Sequence, residues 1–271
     1  MRSSRTESRT EQHGAYVHGG DDPILVILSP PRAASTALAR AFWQHPRFRW
    51  YLHEPFDRAY HRQDGDVAPI DWSAGRIDLG ELTGTARGPG LVVKEMTFQV
   101  GDRLDELVSR ATLPVVVTLR EPRLSIASRI RRRVLDGEPG CFPAAETGWP
   151  DLLAALRHMT DAKIPYVVVD VARLRSCPAA TVEALCGHLG LRYEPTMLTW
   201  PDASHLRLGQ LGDEQRRWYA AALGSRGFVA SDETPPPDDW FPVELREVVR
   251  NCSDAYREIL STMDVVGNGD D

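Results

Sequence analysis

The sequence predicts an α/β protein built on a doubly wound, mainly parallel central sheet flanked by helices. Three observations predict it. Four apolar runs rich in β-branched residues stand at 24–28, 91–93, 115–119 and 166–169, and none alternates with polar residues, as in strands covered on both faces. Segments of helical periodicity lie between them, the pattern of βα alternation. Small and charged residues that suit a ligand fall at the carboxyl ends of these runs, where open α/β sheets bind.

The elements follow in order. The run 24–28 stops at Ser29-Pro30-Pro31, since proline cannot donate to a ladder, and an Ala/Leu-rich helix is expected over 36–44. A short fifth strand is expected at 48–52. The segment 57–90 is rich in Gly, Asp and Arg without periodicity and is too long for a plain connection, so it reads as a binding loop or lid. Helices are expected at 100–109, 124–135, 151–161 and 179–189, with a second irregular stretch at 137–150. The C-terminal part reads as helical, 213–223 and 242–263, divided by a segment holding Pro235-Pro236-Pro237. Residues 1–22 are polar, without the apolar core of a signal peptide, and read as a disordered leader. One domain is expected over 23–265, with a frayed tail at 266–271.

Composition sets limits. The chain of 271 residues is long enough for a sizeable core, and 42% hydrophobic with 26% charged residues is ordinary for a globular protein. A net charge of −6 argues against a general nucleic-acid binder. Four cysteines without metal or C-x-x-C spacing suit a reducing compartment, and no run reaches the length of a membrane span. A cytoplasmic protein is expected, with neither membrane nor nucleic acid as partner; the oligomeric state is not readable.

Two segments carry chemistry. In Ile24 to Thr36 a strand, a tight loop and a helix start converge, so that loop and first-turn N–H groups and the helix dipole favour a phosphate. Arg32 adds a cation and Ser35 and Thr36 add hydroxyls; the loop is no Walker A, lacking its Gly and Lys. In Val115 to Val134 a second strand ends at Arg120, and Ser128 follows eight residues later on a helix. A guanidinium fork and a helix hydroxyl can clamp one phosphate. Arg129, Arg131, Arg132 and Arg133 read as a solvated helix face.

Taken together these segments resemble the sulfotransferases that use 3′-phosphoadenosine 5′-phosphosulfate (PAPS). Pro31-Arg32-Ala33-Ala34-Ser35-Thr36 stands where that family binds the 5′-phosphosulfate, with Ala33-Ala34 departing from the usual loop glycine. Arg120 and Ser128 keep the spacing of its 3′-phosphate motif. A weaker echo runs from Tyr166 through Asp170 and Cys177-Pro178 to Gly187-His188-Leu189-Gly190-Leu191. The resemblance implies a P-loop NTPase-like sulfotransferase fold, PAPS as co-substrate, no metal, and a small-molecule acceptor bearing a hydroxyl or amine. It implies a phosphate-binding set of Arg32, Ala33, Ala34, Ser35, Thr36, Arg120 and Ser128. Arg226 is added, because Gly224-Ser225-Arg226-Gly227 is similar to the late loop that closes over the nucleotide.

Sulfuryl transfer needs donors at the sulfonate oxygens and a base for the acceptor. Arg32 suits the first role. For the base, Glu54 follows Leu52-His53 at an expected sheet edge, as does a Glu in bacterial members of the family; His53 and Glu95 are alternatives, and Lys94 stands near. Trp200, Trp218 and Trp240 read as packing residues. Two other functions stay open: an ATP-dependent small-molecule kinase on a related fold, and a catalytically silent nucleotide-binding protein.

Overall fold

The structure, a computed structural model, describes residues 22–61, 69–209, 213–231 and 233–266. The expected leader lies outside the described residues apart from Asp22. Strand β1 (Ile24–Ser29) leads through the Pro30-Pro31 loop to helix α1 (Ser35–Gln44), then β2 (Phe48–His53). Short elements follow: α2 (Asp57–His61), β3 (Ile77–Asp78) and α3 (Leu79–Thr83). Next come β4 (Gly90–Met96), α4 (Thr97–Val100), α5 (Leu104–Val108), β5 (Val115–Leu119) and α6 (Pro122–Leu135). The chain continues with α7 (Trp149–Asp161), β6 (Tyr166–Asp170), α8 (Val171–Ser176) and α9 (Pro178–His188). It closes with α10 (Asp213–Gly224), α11 (Val243–Thr262) and β7 (Val265–Val266).

The strands form one sheet in the order β3-β2-β4-β1-β5-β6-β7, parallel except for β3 at its edge. The chain winds from β1 outward to β2, returns through β4, and crosses to β5 and β6. Its direction therefore reverses around β1, the position at which α/β sheets open a ligand crevice. Successive strand residues serve opposite faces. Leu25 and Ile27 join Leu38, Phe42, Val182 and Leu185 under α1 and α9, while Val26 and Leu28 join Leu107, Leu152, Leu156 and Ile259 under α5, α7 and α11. Both faces are thus covered, which is why the runs are apolar throughout.

Three expectations change. The helix expected at 100–109 is split into α4, a 3-10 turn at Gly101–Arg103 and α5, because Gly101 adopts φ 48°, ψ −128° and breaks the spiral. The irregular 57–90 holds α2, β3 and α3, the last capped by Asp78, whose carboxylate accepts from the N–H of Gly80 (2.8 Å) and Glu81 (3.3 Å). Val266, expected to fray, is paired with Val169 in β7, and residues 267–271 lie outside the described residues. Among the described residues no helix is long and apolar enough to cross a membrane.

Candidate active site

A cavity of about 840 Å³ opens over the carboxyl ends of the strands. Its floor is the β1–α1 loop, which contributes Pro31, Arg32, Ala33, Ala34, Ser35 and Thr36. Ala34 takes the left-handed conformation (φ 55°, ψ 13°) at the N-cap of α1, and no side chain caps the helix. The first-turn N–H groups thus have no intrahelical partner and their dipole end faces the cavity. This is the position of the missing glycine, and Ala bears the steric cost. Ser29 Oγ donates to Ser35 Oγ (2.7 Å), tying the strand end to the helix start.

The two phosphate-type segments meet here. Arg120, 6% exposed just past β5, donates to the Arg32 carbonyl (3.1 Å) and pairs with the Glu233 carboxylate. Arg32 in turn donates from Nε to Ser128 Oγ (3.1 Å) and from its guanidinium to the Trp218 carbonyl (3.0 Å). Arg120 lines the cavity, while Ser128 is held behind Arg32. Burial, then the charge of Arg175, pushes Arg120 down to about 10.

Beside the loop lies a buried polar network. β2 ends at His53, and Glu54 turns left-handed (φ 47°), carrying its carboxylate into the cavity wall. That carboxylate pairs with Lys94 and accepts from Tyr219 Oη (2.6 Å) and Gln99 Nε2 (3.3 Å). Burial works to raise the Glu54 pKa, but the charge of Lys94 beside it outweighs this, and the group is held below its ordinary range. Burial and the Glu54 charge push the Tyr219 phenol well up, so it donates. Among the described residues four non-glycine positions have positive φ, and three of them, Arg32, Ala34 and Glu54, line this cavity. Such strain collects where the surrounding structure enforces a function.

Of the three candidate bases, only Glu54 reaches the cavity. His53 does not: its Nδ1 shares a proton with the Tyr51 hydroxyl, and burial pushes the imidazole down to about 3. The reason is local, since the left-handed turn at Glu54 redirects one side chain and leaves its neighbour in the sheet. Glu95 is also inside, its two oxygens accepting from the N–H groups of Phe56 (2.8 Å) and Met96 (2.7 Å). Burial, then Glu54, pushes Glu95 well above the usual carboxylate range.

Arg226 is a further correction. The N–H of Trp200 donates to its carbonyl (3.1 Å), and Gly227 bridges Thr199. Ser225 and Gly227 line the cavity with Phe228 and Val229, and Arg226 is exposed outside it. Arg129 and Arg133 are not a solvated face: both line the cavity, with Arg129 paired to Glu146 and set 4.8 Å from the Phe142 ring centroid. Trp218 lines it too, whereas Trp200 is core at 4% exposure. Sequence reasoning missed Arg175, Tyr219 and Gln99. The only signal for any of them is the place of Arg175 just after a strand end.

A family model described as a sulfotransferase domain matches residues 149–251. The sulfotransferase domain of the curacin biosynthetic pathway superposes with a TM-score of 0.51 at 16% identity, covering 87% of this chain and 97% of that one. The sulfotransferase domain of the Synechococcus PCC 7002 olefin synthase gives a TM-score of 0.47 at 16% identity, covering 89% and 96%. A branched-chain-amino-acid aminotransferase-like protein of Arabidopsis thaliana is 22% identical over 241 residues, 86% of this chain; the chain spans 40% of that relative's length. The family model thus covers the C-terminal part of the chain, and the curacin-pathway domain shares its α/β fold.

Proposed function

We propose that this protein moves a sulfuryl group from PAPS to a hydroxyl or amine of a small-molecule acceptor in the cytoplasm. The observation that carries the reading is the meeting of the two phosphate-type segments: Arg120 donates to the Arg32 carbonyl while Arg32 donates to Ser128. In this reading the loop from Arg32 to Thr36 and the α1 N-terminus hold the 5′-phosphosulfate, and Arg120 selects the 3′-phosphate, with Ser128 positioning the Arg32 guanidinium beside it. The leaving phosphate is already a stable anion, so the reading needs no metal.

Glu54 takes the acceptor's proton as the acceptor atom bonds to sulfur. The sulfur–oxygen bond to the 5′-phosphate breaks, and its electron pair leaves on that phosphate. Arg32, Lys94 and the loop N–H groups meet the developing charge. Glu54 is ionised at neutral pH, as a base must be, and its bond from Gln99, at 3.3 Å the longest of the three it accepts, is the one an incoming hydroxyl can replace. The reading is tested by melting the protein with adenosine 3′,5′-bisphosphate (PAP), with ATP, and with ATP plus Mg²⁺, followed by transfer from PAPS labelled with ³⁵S. Stabilisation by PAP and transfer that persists in EDTA are expected. Stabilisation by ATP–Mg²⁺ alone, with activity lost to EDTA, overturns it in favour of a kinase.

A further inference from the structure

Three guanidinium groups line the cavity near enough for their charges to act on one another: Arg32 after β1, Arg120 after β5 and Arg175 on α8. Arg120 and Arg32 are both engaged by neighbours. Arg175 makes no hydrogen bond or ion pair among the described residues, although it lines the cavity. These cations repel one another, Arg175 acting on both Arg120 and Arg32. The carboxylate that answers both Arg120 and Arg175 is Glu233. Its side chain is 47% exposed, and it sits between Gly227 and Asp238 where the described residues form neither helix nor strand. An exposed carboxylate on such a segment is weakly held, because solvent competes for both partners. A bound dianion satisfies two guanidinium forks at once and relieves their repulsion.

We propose that Arg175 is a second arginine of the 3′-phosphate site beside Arg120, and that the Glu233 carboxylate, paired with Arg120, is a stand-in anion which the nucleotide's 3′-phosphate displaces while also engaging Arg175. The proposal rests on the PAPS reading above. It assigns Arg175 to donor selection and gives the Glu233 carboxylate a part in nucleotide binding.

The test is calorimetry with PAP and AMP, which differ only in the 3′-phosphate, on the full chain and on Arg175→Ala, Arg120→Ala and Glu233→Gln. Arg175→Ala is expected to weaken PAP at least about tenfold while AMP stays within about twofold. Glu233→Gln is expected to tighten PAP by about threefold or more, with AMP unchanged. Equal weakening of both nucleotides by Arg175→Ala, or no weakening, overturns its role; unchanged or weaker PAP binding in Glu233→Gln overturns the exchange. The two levels separate. If the unaltered protein does not prefer PAP, the PAPS reading falls and takes this proposal with it. If Arg120→Ala erases the preference while Arg175→Ala keeps it, only the assignment of Arg175 falls.

Discussion

Gly148 supports the phosphate loop from below, and replacing it with alanine should damage that loop from outside the cavity. Gly148 has φ +75°, and a Cβ there would lie 2.7 Å from Pro31 Cδ, 2.8 Å from Thr97 Oγ1 and 3.0 Å from Pro30 Cα. Carbon atoms pack comfortably at about 3.5–4.0 Å, so Pro31 must retreat by about 1 Å. The left-handed conformation costs roughly 1–2 kcal/mol and the overpacking about 1–3 kcal/mol more. The sum, about 2–5 kcal/mol, corresponds to a fall in Tm of roughly 4–20 °C for a domain of this size. Gly137→Ala is the control: its φ is +76°, and a Cβ meets nothing within 4 Å, so only the conformational cost remains. Melting curves and PAP affinity on both variants decide. Gly148→Ala should melt lower than Gly137→Ala and bind PAP at least about tenfold more weakly at a temperature where both are folded. Equal melting points with equal PAP affinity would refute the claim that Gly148 positions the loop.

Three further outcomes follow from the same site. Ala34→Gly should raise Tm by about 2–4 °C, since about 1 kcal/mol of left-handed strain is removed, and leave PAP affinity unchanged; a lower Tm would mean the loop needs the methyl group. Glu54→Gln should lower kcat about 10²–10⁴-fold per folded molecule with PAP affinity nearly unchanged, and lower Tm because Lys94 loses its buried partner; full turnover per folded molecule would leave Glu54 as an anchor for Lys94 and no base. The folded-state pKa of His53, about 3 against an ordinary 6.5, means the unfolded chain binds more protons between these values. Stability from this group is therefore complete above about pH 6.5 and is lost as pH falls toward 3. His53→Gln, followed by urea unfolding from pH 7 to 4, should show a shallower acid loss than the parent chain, and parallel curves would contradict the assignment.

Much of this was legible in the chain. The β-branched runs at β1, β5 and β6 mark strands because both faces are buried, and the double winding follows from the helices between them. Arg32, Arg120 and Ser128 were readable because each stands at a fixed offset from a strand end. Strands β3 and β7 span two residues each, too short for any period to register. His53 and Glu54 are neighbours of similar local appearance, and only the left-handed turn at Glu54 separates them. Tyr219, Arg129 and Arg175 lie on helices whose local pattern is that of a surface; the fold alone brings them to the cavity. Arg226 stands exposed off the cavity although Ser225 and Gly227 on either side line it, a distinction no local pattern carries.

The central claim is that Arg120, beside the Arg32 loop that holds the 5′-phosphosulfate, recognises the nucleotide's 3′-phosphate. Calorimetry of PAP against AMP on the unaltered protein and on Arg120→Ala tests it most directly. A preference for PAP of at least about tenfold is predicted, from charge-assisted bonds of roughly 1.5–3 kcal/mol, and most of it should vanish in Arg120→Ala. Equal affinity for the two nucleotides in the unaltered protein would contradict the account.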